Sequence, residues 1–102
     1  MNIQAATKEK LKKEIVDRLS EFPEVRKVVI FGSFLDSDDP HDIDIAVYQD
    51  SDEGYYPLGM RYRKTLRAVA NRIPIDVIPI RRSPEKGSFI REIEKGEVLY
   101  ER

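Results

Sequence analysis

Two short apolar runs rich in β-branched residues, Arg26 to Phe31 and Ile43 to Tyr48, flank Gly32-Ser33 and an acid-crowded segment, Phe34-Leu35-Asp36-Ser37-Asp38-Asp39-Pro40-His41. Runs this short suit strands buried on both faces better than helices. The second nevertheless opens on Asp42-Ile43-Asp44. Alternate positions of a strand share a face, so the two carboxylates stand side by side, with Ile43, Ile45 and Val47 turned to the core. Like charges this close disfavour ionisation unless a cation lies between them. An all-oxygen set in a chain without Cys favours a hard cation, Mg²⁺ first.

A third apolar run, Ile73 to Ile80, carries Asp76 where an unpaired carboxylate would be costly. The intervening chain reads as a surface loop from Gln49 to Gly59, with Gly54, Pro57 and Gly59 as breakers, then a helix from Met60 to Arg72. Strand, helix, strand is the pattern of a parallel crossover. If the two strands are neighbours, Asp76 meets Asp42 and Asp44 at one end of the sheet. Gly32 and Ser33 reach that end if the first two strands are antiparallel. Three converging carboxylates are what two Mg²⁺ ions need to clamp a triphosphate and activate a hydroxyl, and a Gly-Ser turn can bring backbone N–H groups and a hydroxyl to phosphate oxygens. The plainer alternative is a solvated edge strand with polar residues outward.

The remaining elements are an amphipathic helix from Lys8 to Phe22, with Leu11, Ile15, Leu19 and Phe22 on one face, and a helix from Glu85 to Lys95 capped by Ser83-Pro84. Glu97 to Tyr100 forms a last short strand or an extended tail. The expected class is mixed α/β, a small mixed sheet with helices packed on it, and 102 residues fit one domain, 1–102. Lys and Arg number 18 against 19 Asp and Glu, a net charge of -1 that disfavours nucleic acid or an anionic membrane as partner. The chain lacks Cys, and no basic start precedes a long apolar run, which leads us to expect a cytoplasmic protein. Arg63, Lys64 and Arg67 share a helix side that reads as solvated surface, the alternative being a docking site for an acidic partner or phosphate. Tyr55 and Tyr56 read as loop anchors, and His41 as a loop residue rather than a ligand, since Mg²⁺ prefers oxygen.

A strand ending in Gly32-Ser33, a loop, Asp42-x-Asp44 on the next strand and Asp76 on a later one resemble the signature of the minimal nucleotidyltransferases of the DNA polymerase β superfamily. The closing Ile90-Arg91-Glu92-Ile93-Glu94-Lys95-Gly96-Glu97-Val98-Leu99-Tyr100 is similar to their C-terminus. The resemblance implies a polymerase β palm-like fold, Mg²⁺ held by Asp42, Asp44 and Asp76, ATP as substrate contacted at Gly32 and Ser33, and catalysis by the three aspartates. It also implies a partner. Many such proteins are encoded beside a helical HEPN-family ribonuclease toxin and act as its antitoxin, moving AMP from ATP onto a toxin tyrosine. Self-association stays open. The sequence departs from the family where Arg-x-Arg-Gly often follows Gly-Ser: Phe34-Leu35-Asp36-Ser37 stands there, and only eight residues, 34–41, separate Ser33 from Asp42. Acids in place of phosphate-holding arginines leave a second reading, an antitoxin that neutralises its partner by binding alone.

Overall fold

The three apolar runs are three strands of one sheet. A computed structural model describes residues 5–81 and 87–102. In it β1 (Val25–Phe31) pairs antiparallel with β2 (Ile43–Gln49), and β2 pairs parallel with β3 (Ile75–Arg81). The closing segment is a true strand, β4 (Glu97–Glu101), antiparallel to β1, giving the order β3-β2-β1-β4. Four successive buried residues, Val28 to Phe31, mark β1 as covered on both faces.

One face carries the main core. Val28, Ile30, Ile43, Ile45, Val47 and Val77 meet three helices there. Helix α1 (Ala5–Leu19) buries Leu11, Ile15 and Leu19, spaced four apart on one side as the sequence pattern requires. The other two, α3 (Tyr55–Thr65) and α4 (Arg67–Ala70), form the crossover between β2 and β3 and bury Leu58, Tyr62 and Val69, with Leu66 buried at the break between them. The opposite face holds a smaller cluster of Val29, Phe31, Ala46 and Ile80 with Ile93 of α5 (Ser88–Glu94).

Five expectations change, the first being that α1 stops at Leu19, so Phe22 lies past its end rather than on its face. The loop expected from Gln49 to Gly59 ends early, because α3 starts at Tyr55, so Tyr55 and Tyr56 are helical rather than loop residues. Pro57 is tolerated in the first turn, where backbone N–H groups lack intrahelical partners, and Gly59 lies buried where an added Cβ would sit 3.9 Å from Pro79. The helix expected through Arg72 breaks at Leu66, whose ψ of 11° is not helical. The segment after Gly32 contains a turn of helix, α2 (Ser33–Asp36), with Phe34 fully buried. Lastly, Asp76 is exposed rather than costly and buried. Its strand is an edge strand, as Pro79 within it allows, since proline cannot donate to a second neighbour. The expected cap at Ser83-Pro84 and the helix start at Glu85 lie outside the described residues; within them, the helix begins at Ser88.

Candidate active site

Parallel pairing sets Asp44 directly beside Asp76, and antiparallel pairing sets Phe31, the last residue of β1, beside Asp44. Asp42 precedes β2 by one residue and shares the Asp44 side. The main-chain N–H of Ile43 donates to the carbonyl of Pro74 at 2.8 Å, which ties the start of β2 to the approach of β3. One carboxylate oxygen from each of Asp42, Asp44 and Asp76 lies within 4.8 Å of the other two. All three stand on the face that carries the smaller cluster, while Ile43, Ile45 and Val47 are buried on the other.

Asp42 and Asp44 are half-buried. Burial first, then the charges of Asp42 and Asp76, raise the pKa of Asp44 above the usual carboxylate value. Among the described residues no lysine or arginine forms an ion pair with any of the three. The donor set therefore fits a hard divalent cation: it is all oxygen, it is uncompensated among the described residues, and ligand oxygens around such ions lie up to about 5 Å apart when bonds run to about 2.0–2.6 Å. His41, next in sequence, is exposed and outside the cluster.

Gly32 has a φ of +82°, a conformation that L side chains rarely adopt, and a Cβ there would lie 2.6 Å from Oδ2 of Asp44. The backbone is thus pressed against the carboxylate. Ser33 follows, exposed, as the first residue of α2. Phe34 anchors this segment in the core. Lys8 of α1 secures it from outside, with Nζ 5.3 Å from the Phe34 ring centroid and donating to the carbonyl of Ser37 at 2.7 Å. All five residues expected at the site are accordingly at one end of the sheet. Phe34 is a supporting residue in a segment that reads from sequence as a loop; its signal is the pair of large apolar side chains, Phe34-Leu35, next to the acids.

Residues 13–102 match the family model described as polymerase beta, nucleotidyltransferase. The chain belongs to this nucleotidyltransferase family. Its members' fold recurs in a solved complex of tri-AMPylated Shewanella oneidensis HEPN toxin with MNT antitoxin, where the similarity has a TM-score of 0.69 at 20% identity and covers 93% of this chain and 73% of the other. A mutant of the toxin–antitoxin MntA-HpeT gives a TM-score of 0.63 at 21% identity, with the same coverage of 93% and 73%. A candidate nucleotidyltransferase from Sulfolobus solfataricus gives 0.51 at 26% identity, covering 91% of this chain and 79% of that one. A search of curated proteins returns no match. Among the described residues no helix is long and apolar enough to cross a membrane.

Proposed function

We propose that this nucleotidyltransferase moves AMP from ATP to a tyrosine hydroxyl of a helical HEPN-type protein, with Mg²⁺ at the three aspartates, and serves as that protein's antitoxin. The observation that carries the reading is the convergence of Asp42, Asp44 and Asp76 within 4.8 Å on paired strands beside Gly32. The partner class draws support from the solved complexes named as toxin with antitoxin, and AMP from the AMPylated state of one of those toxins.

In this reading Asp42 and Asp44, half-buried and fixed by β2, hold the metal and its triphosphate. Mg²⁺, when bound, would neutralise phosphate charge and lower the pKa of an attacking hydroxyl. Asp76, the exposed member, is the one an incoming acceptor can reach, and it takes the hydroxyl proton. The tyrosine oxygen bonds to the α-phosphorus, the bond from that phosphorus to the bridging oxygen breaks, and pyrophosphate leaves. The Gly32-Ser33 backbone and the Ser33 hydroxyl supply donors to the departing group.

One feature favours the binding-only alternative. Asp36, Asp38 and Asp39 are exposed in the segment between Ser33 and Asp42, where they oppose a triphosphate. Incubation of the chain with ATP, Mg²⁺ and the product of an adjacent HEPN-type gene, followed by intact mass, separates the two. The transferase reading expects the partner to gain one or more AMP units, and Asp42→Asn to abolish the gain. A fully inhibited complex with unchanged mass, equally tight with Asp42→Asn, would mean inhibition by occlusion.

A further inference from the structure

We propose that the groove along α3 and α4 is a docking surface for an acidic amphipathic helix of a protein partner, apart from the carboxylate site. Exposed large apolar side chains are concentrated on α3, and one of them, Met60, lines the groove. Of the four among the described residues, Tyr55, Tyr56 and Met60 lie on α3, at 56%, 75% and 55% exposure; only Val98 lies elsewhere. Such clustering on a small surface marks an interaction site rather than scattered exposure. Pro57, Met60 and Ala70 give an open groove of about 540 Å³ an apolar floor.

Its rim is basic. Arg63, Lys64 and Arg67 line the groove, all exposed, and among the described residues none of them forms an ion pair. Arg61 also lines it but is already held by Glu53 and Glu24. Three uncommitted cations beside one groove on a chain of net charge -1 form a local positive field, which calls for a negatively charged occupant. The apolar floor calls for one with a hydrophobic side as well. Met is an adaptable anchor for helices laid into grooves. The 11 residues of α3 span roughly 16 Å at about 1.5 Å per residue, room for about three turns of an occupant. The balanced overall charge and the apolar floor favour an acidic helix over nucleic acid.

The test uses the full chain and three fluorescent probes. The first is a helical peptide of about 14 residues with Leu on one face and Glu on the other; the second is the same peptide with Lys for Glu; the third is a uridine oligonucleotide of similar charge. Anisotropy should report binding of the acidic peptide alone. Combined Arg63→Glu, Lys64→Glu and Arg67→Glu should weaken it roughly tenfold or more, as should Met60→Asp, whereas Asp42→Asn should leave it unchanged. The substituted side chains are exposed, and circular dichroism checks that each variant is folded. No binding of the acidic peptide, equal binding of the lysine version, or tighter binding of the RNA through the same residues would overturn the proposal.

Discussion

Asp44 stands half-buried between Asp42 and Asp76, and burial, reinforced by the two charges, holds its pKa above the ordinary value. The folded chain therefore keeps this proton to higher pH than the unfolded chain, and its stability falls as pH rises through the interval between the two values. In metal-free protein, Asp44→Asn should raise the melting midpoint at about pH 7, modestly because the half-buried carboxylate is partly screened by solvent. Near pH 3 the gain should vanish, because Asp44 is then largely protonated in both states. Melting curves at the two pH values check this, and a loss of stability at both would refute it. Gly32 is the companion case. Its φ of +82° and the 2.6 Å approach of a hypothetical Cβ to Asp44 make Gly32→Ala strained in two ways. Urea unfolding should show a loss of about 1–3 kcal/mol, and Asp44→Asn in the same chain should not restore it fully, because the backbone strain remains.

At the scale of elements, β1 and β2 were legible because β-branched residues fill consecutive positions, and Asp42 and Asp44 were legible as a pair because strand alternation is strict. Their union with Asp76 followed from the strand-helix-strand pattern, and the register of Asp44 against Asp76 bears it out. The start of α3 was hidden by Gly54, Pro57 and Gly59, each read locally as a breaker. Pro57 falls in the one helical turn that tolerates it, and a single Gly within a helix costs only about 1 kcal/mol relative to Ala, which the packing of buried Leu58 and Tyr62 outweighs. The exposure of Asp76 was missed because an apolar run suggests an interior strand; Pro74 and Pro79 were the signals of an edge. The turn from α5 into β4 depends on Gly96, where a Cβ would lie 2.3 Å from the carbonyl oxygen of Ile30 and 2.9 Å from Cβ of Phe31. Backbone must move to admit it. Gly96→Ala should cost about 1–3 kcal/mol, seen as a lower urea midpoint, and should loosen β4 first, seen as faster amide exchange at its β1 pairings from Lys27 to Ile30.

Across the whole molecule the sheet has unequal faces: α1, α3 and α4 cover one, and among the described residues α5 alone packs on the other. The carboxylates stand on this sparsely covered side. Transfer by positioning needs both reactants held in attack geometry, so on the proposed reading the isolated chain should turn over ATP slowly and gain activity when a partner closes that side. Pyrophosphate release with and without the partner measures this, and equal rates would contradict it. On the proposed reading Asp42, Asp44 and Asp76 form one divalent-metal site. Mn²⁺, a paramagnetic substitute for Mg²⁺, titrated into ¹⁵N-labelled protein tests it residue by residue. Amide signals of Asp42, Asp44, Asp76 and Gly32 should broaden first, and Asp42→Asn with Asp44→Asn should keep them sharp. Broadening confined to Asp36, Asp38 and Asp39, with the signals of the three aspartates untouched, would contradict it.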